Sequence, residues 1–144
     1  MEIREIAAHD TLYIRHEVMW PDKAVDYVKL PNDAEGKHFG LFVLDKLVSV
    51  ISTFKEDGSM QFRKFATLAE FQGKGYGTAL LRHVMEWAEN EGLDKIWCNA
   101  RVHKSSYYRK FGLRETEDLF VKGGISYVVM EKIFPKKGES SLSG

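Results

Sequence analysis

From Gly77 the apolar residues Leu80, Leu81, Val84, Met85 and Ala88 recur at helical spacing, with Arg82, His83, Glu86, Glu89 and Asn90 on the other face. This predicts an amphipathic helix, which Gly92 ends. Ahead of it, Phe39–Leu44, Leu47–Phe54 and Met60–Thr67 are β-rich runs. Turns at Asp45-Lys46 and Asp57-Gly58 join them, so a meander is predicted. Glu2–Ile6 alternates weakly, as a first strand does. Asp10 or Thr11 can cap a helix running toward Met19, which Pro21 stops, and Asp22–Leu30 predicts a second short helix before Pro31. After the long helix come a strand, Lys95–Ala100, and a short helix, Lys104–Phe111, closed by Gly112. Two strands, Leu113–Val121 and Ile125–Ile133, then flank Lys122-Gly123-Gly124. The order β-α-α-β-β-β-α-β-α-β-β predicts an α/β fold on a mixed sheet.

At 144 residues and 44% hydrophobic, the chain suits one compact domain with a real core. That domain is expected over residues 1–134. Pro135–Gly144 loses its apolar residues apart from Leu142 and is expected to be a disordered tail. Lys plus Arg and Asp plus Glu are both 21, so no global field draws the chain to nucleic acid or an anionic membrane. Any anion binding must be local. The single cysteine, Cys98, lies in an apolar strand pattern and reads as a buried hydrophobe of a reducing compartment. Glu2, Arg4 and Glu5 leave no room for an apolar signal core, and no apolar run approaches membrane-spanning length, so a soluble cytoplasmic protein is expected. No His/Cys/Asp/Glu cluster has metal spacing, so no metal is expected.

Gln72-Gly73-Lys74-Gly75-Tyr76-Gly77-Thr78 lies between a predicted strand and the long helix. Glycines at alternate positions let successive N–H groups turn toward one point, and the helix aims its positive end there too. A pyrophosphate fits such a site. A nucleoside triphosphate loop is disfavoured because Lys74 is followed by Gly75, not Ser or Thr. The dinucleotide fingerprint fails because the run reads Gly-x-Gly-x-Gly. What remains, Gln-x-x-Gly-x-Gly, resembles the coenzyme A pyrophosphate loop of the GNAT N-acetyltransferases. Phe65-Ala66-Thr67, Trp97-Cys98-Asn99-Ala100-Arg101 and Tyr107-Tyr108-Arg109-Lys110-Phe111-Gly112-Leu113 follow that family's motifs in order, over about residues 1–133. Ile14-Arg15-His16, His38-Phe39-Gly40 and Arg63 before Ala66-Thr67 resemble the glyphosate N-acetyltransferase-like branch.

The resemblance implies a single-domain acyl-CoA N-acyltransferase fold: about seven strands splayed between the fourth and fifth, with helices on both faces. It implies that acetyl-CoA lies along Phe65, Ala66 and Thr67 and on the loop Gln72, Gly73, Lys74, Gly75, Tyr76, Gly77 and Thr78. Tyr108 matches the tyrosine that protonates, or hydrogen-bonds, the departing sulfur, and a phenol is a suitable acid for a thiolate. Tyr107 is assigned to packing, although both tyrosines also suit a core near a helix end. Arg63 and Arg101 match residues that bind an acceptor's anionic groups; the alternative is strand-end arginines in solvent or paired with Glu70.

The chain departs from the branch twice. Trp20 stands where a third anion-binding arginine is expected, and Tyr127 where a histidine base is expected. His38 and His103, near loops, remain candidate replacements, whereas His83 falls on a polar helix face and His9 and His16 read as surface or packing residues. The reading is direct acetyl transfer to a small, carboxylate-bearing amine by a monomer or homodimer. Acetylation of a protein N-terminus or lysine, and a non-catalytic acyl-CoA sensor, are the alternatives.

Overall fold

The computed structural model describes residues 1–136. β1 is Glu2–Ile6, β2 Lys37–Val43, β3 Lys46–Glu56, β4 Ser59–Thr67, β5 Lys95–Arg101, β6 Arg114–Lys122 and β7 Ile125–Ile133. α1 is Leu12–Met19, α2 Tyr76–Asn90 and α3 Ser105–Arg109. The hydrogen-bonded order is β1-β2-β3-β4-β5-β7-β6. β4 and β5 pair in parallel, whereas β1–β2, β2–β3, β5–β7 and β6–β7 are antiparallel, so the predicted mixed α/β sheet is present. Of the expected tail, Pro135 and Lys136 are exposed, and 137–144 lie outside the described residues.

The chain divides into two compact units. The first holds Met1–Phe54 and Phe62–Glu86. Its buried cluster of Ile14, Val50, Ala66 and Leu68 takes in Val18 and Met19 from α1 and Phe71 from the segment after β4. On α2, Leu80, Leu81, Val84 and Met85 are buried and Arg82, His83 and Glu86 exposed, as the helical spacing predicts. The second unit holds Lys55–Gln61 and the chain from Trp87. There the parallel ladder of β4 and β5 runs from Ser59↔Lys95 to Gln61↔Trp97 and ends, so pairing gives way between the fourth and fifth strands. Ile96, Cys98, Ala100, Leu113, Val128 and Met130 are buried. Gly92, at φ 80°, ends α2 with its N–H on Glu89 and the Leu93 N–H on Ala88, the pattern of a Schellman cap.

Two expected elements differ. The β2–β3 loop is Leu44-Asp45, not Asp45-Lys46: φ is 50° and 65°, and Val43 pairs with Lys46. Positive φ at both loop residues matches the right-handed strand twist, and Leu44, 97% exposed, contributes nothing to the core. Asp22–Leu30 is not an α-helix but holds one 3-10 turn, Val25–Val28. Only Val28 of that stretch is buried, and one apolar contact cannot repay the ordering of a short helix.

Candidate active site

The first unit fixes the glycine loop from behind. Leu68 and Phe71 pack with Ile14, Val50 and Ala66, which sets where the chain leaves β4. Gln72 Nε2 donates to the Thr67 carbonyl at 2.8 Å. Ser49 Oγ donates to the Ala66 carbonyl at 3.2 Å and lies 2.8 Å from Thr67 Oγ1. Gly73 and Gly75 have φ of 76° and 86°, and a Cβ at either would meet nothing within 4 Å. They are glycine for backbone conformation, and the space beside them is open. Gly77 differs, because a Cβ there would lie 3.2 Å from Thr67 Oγ1 and 3.3 Å from Phe65 Cζ. Its lack of a side chain lets the first turn of α2, with Tyr76 and Thr78, lie against β4. The positive end of a 15-residue helix thus follows directly on an open glycine cradle that holds the exposed Lys74, which fits a pyrophosphate.

The second unit carries the phenols. Tyr107 and Tyr108, half-buried on α3, meet edge to face at 5.4 Å, and Tyr107 packs on Phe111 at 5.1 Å. Burial pushes the Tyr108 phenol well above its usual value, with Cys98 and Tyr107 adding to the rise and the Arg101 charge offsetting part of it. Tyr108 therefore keeps its proton throughout the neutral range. Burial also pushes the Cys98 thiol up to about 12, so it is not a thiolate nucleophile near neutrality. Arg101 on β5 is the direct cross-strand partner of Tyr127 on β7, and Tyr127 is that of Phe120 on β6. The rings of Phe120 and Tyr127 stack at 5.2 Å and 14°. Cross-strand partners share a face, so a guanidinium, a phenol and an aromatic ring form one row.

Neither Arg63 nor Arg101 makes an ion pair among the described residues, and Glu70 instead approaches Lys46 at 3.9 Å. Arg63 shares a strand face with Gln61 and Phe65 only if β4 is unbroken. Lys64, at φ 53°, interrupts it, so period-two counting does not carry from Arg63 to Phe65. Trp20 ends α1 and meets Tyr27 edge to face at 5.3 Å.

His38 is not an available base. It is buried, its Nδ1 lies 2.7 Å from Ser52 Oγ and its Nε2 2.9 Å from the Asp33 carbonyl. His103 is exposed. The same network holds a residue to which the sequence reading gave no role. Arg15, fully buried, donates to the Val28 carbonyl at 3.0 Å, to Ser52 Oγ at 2.8 Å, and to both Asp33 carboxylate oxygens at 2.8 and 2.9 Å. It ties the 3-10 turns after Trp20 to α1. The one local hint was Ser52, a hydroxyl inside an apolar run.

Burial alone would raise the Asp33 carboxyl; the Arg15 hydrogen bonds, the Leu30 N–H and the Arg15 and His38 charges outweigh it and hold the group below its ordinary value. A depressed folded-state value stabilises the fold above the unfolded carboxyl's titration, about pH 4, and that contribution is lost as pH falls through the lower folded value. Asp33→Asn should therefore cost stability in urea unfolding near pH 7 and distinctly less near pH 3. Equal cost at both would show that ionisation plays no part.

A sequence model described as an acetyltransferase (GNAT) domain matches residues 16–134, reaching into both units. The chain belongs to the GNAT acetyltransferase family. It is an N-acetyltransferase, within the acyltransferases. The uncharacterized N-acetyltransferase YitI of Bacillus subtilis is 32% identical over 142 residues, covering 92% of this chain and 95% of that protein. The fold recurs in the ribosomal-protein-S18-alanine N-acetyltransferase of Escherichia coli, with TM-score 0.78, 17% identity and 96% of each chain covered. It recurs again in an aminoglycoside 6'-N-acetyltransferase complexed with coenzyme A, with TM-score 0.76, 15% identity and 94% and 99% covered. GNAT folds with a protein acceptor and with a small-molecule acceptor are thus both similar to this one. Among the described residues no helix is long and apolar enough to cross a membrane.

Proposed function

We propose that the protein is an acetyl-CoA-dependent N-acetyltransferase acting by direct transfer on a small primary or secondary amine that carries a carboxylate. The observation that carries this reading is the open Gly73–Gly75 cradle ahead of α2 in a chain of the GNAT family. Acetyl-CoA supplies an acyl thioester that is already activated, so transfer needs no covalent enzyme intermediate.

The loop Gln72–Thr78 holds the pyrophosphate through its N–H groups, with Lys74 as a cation beside it. Phe65, Ala66 and Thr67 present main-chain groups to the pantetheine arm. The Ala66 carbonyl is occupied by Ser49 and the Thr67 carbonyl by Gln72. A fixed N–H at Phe65 or Ala66 would steady negative charge on the acyl oxygen, worth about 2.7–4 kcal/mol by analogy with other oxyanion donors. Tyr108, protonated at neutral pH, gives its Oη proton to the departing sulfur. With His38 occupied by Ser52 and Asp33, amine deprotonation falls to water or to an amine that arrives neutral, with Tyr127 shaping the pocket or relaying the proton.

The acceptor assignment follows from Arg101, which has no carboxylate among the described residues and faces Tyr127 across the strands. With Arg63 it is assigned to an anionic group, and Trp20 to packing around the acceptor. This combination resembles the glyphosate N-acetyltransferase-like branch with one cation fewer, which favours a singly anionic amine. Charge-assisted hydrogen bonds contribute about 1.5–3 kcal/mol, so Arg101→Ala should raise the acceptor KM about 10- to 150-fold. Calorimetry should show acetyl-CoA binding nearly unchanged. Carboxylate-bearing and neutral amines acetylated equally well, with Arg101→Ala silent, would move the acceptor to a peptide or a polyamine.

A further inference from the structure

Among the described residues β6 ends the sheet, with β7 on one side and no strand on the other. Its first half is spoiled for pairing: the register breaks between Glu115 and Leu119, and the Asp118 N–H is taken by Thr116 Oγ1 at 3.2 Å. A break of this kind protects an edge. Its second half, Leu119–Lys122, returns to regular pairing with β7 and contains no proline. There Leu119 and Val121 are each 70% exposed and Phe120 is 37% exposed. A short, apolar, regular edge is a template for another strand.

We propose that this edge pairs antiparallel with the same edge of a second copy of the chain, centred on Phe120. Facing residues of an antiparallel pair both turn their backbone groups inward or both outward, so residues that face one another across this two-fold axis are an even number apart in sequence. With Phe120 opposite Phe120 of the second copy, Leu119 faces Val121 within the regular stretch, and Asp118, just ahead of it, sets its side chain against Lys122 without needing its own N–H for the ladder, each pair occurring twice. Moving the centre to Leu119 sets Glu117 against Val121 and Asp118 against Phe120. Moving it to Val121 sets Lys122 against Phe120. Charge complementarity therefore selects the Phe120 register, because a charge opposite an apolar side chain gains nothing. The row Arg101–Tyr127–Phe120 then continues through Phe120 of the second copy.

The pairing is tested by charge exchange, read by sedimentation from about 1 µM to about 500 µM. Wild type should show a concentration-dependent dimer. Asp118→Lys and Lys122→Asp should each raise its dissociation constant at least about tenfold, since two cross-strand pairs turn repulsive at once. The double exchange D118K/K122D should return it to within about threefold of wild type. Both sites are exposed, and circular dichroism checks that the variants stay folded. A wild type that remains monomeric throughout, a dimer indifferent to either single reversal, or a double exchange without recovery each overturns the proposal, the first leaving the edge to some other occupant.

Discussion

Tyr108→Phe is expected to lower kcat about 10²–10⁴-fold, the range of a lost general acid, with little change in acetyl-CoA affinity. The hydroxyl is assigned to the departing sulfur, so its loss is felt once the carbon–sulfur bond breaks and not on binding. Burial keeps the phenol protonated, so over the neutral range the activity profile should carry no limb from Tyr108. Tyr107→Phe is the control: its ring packs on Phe111 and Tyr108, and removing only its hydroxyl should leave the rate near wild type. If Tyr107→Phe abolishes turnover while Tyr108→Phe does not, the roles are exchanged.

Gly75→Glu should weaken coenzyme A binding about 10²–10⁴-fold by calorimetry. It costs one or two charge-assisted hydrogen bonds of about 1.5–3 kcal/mol each and adds a carboxylate beside the diphosphate. Gly75→Ala separates this from backbone strain. At φ 86° any Cβ is disfavoured, by about 1–2 kcal/mol, but an alanine there meets nothing within 4 Å. Alanine should therefore lower thermal stability modestly while retaining most of the affinity, and glutamate should lose the affinity. Equal affinities for wild type and a folded Gly75→Glu would remove the loop from the site.

How much of this was readable in the sequence depended on the range of the interactions. α2 was readable because five apolar residues repeat at its period and Gly92 supplies the left-handed residue its cap needs. Cys98 was readable as core because it sits in an apolar strand, and it is 3% exposed. The turn conformation of the glycine loop was readable because it is local: Gly73 and Gly75 both take the positive φ that glycine alone adopts freely. The β2–β3 turn was misplaced by one residue because Leu44 counts as strand by type, although it projects into solvent. The helix expected over Asp22–Leu30 rested on local signals that a single buried residue, Val28, could not support. The partners in the Arg15 network could not be read, whatever hint Ser52 gave. Asp33 and Ser52 lie 18 and 37 residues from Arg15, and only β2–β3 pairing brings Ser52 opposite His38. For the same reason period two along one strand could not reveal that Arg101 faces Tyr127, which needs the register of β5 on β7.

The most direct test of the central claim is thiol release from acetyl-CoA by the full chain, measured against paired acceptors: amino acids and their carboxamides, with a polyamine and a short peptide alongside. Continuous thiol release that depends on a small amine is predicted, with kcat/KM for the carboxylate form exceeding that of its carboxamide about 10- to 150-fold. Tight acetyl-CoA binding with no turnover for any amine would contradict it.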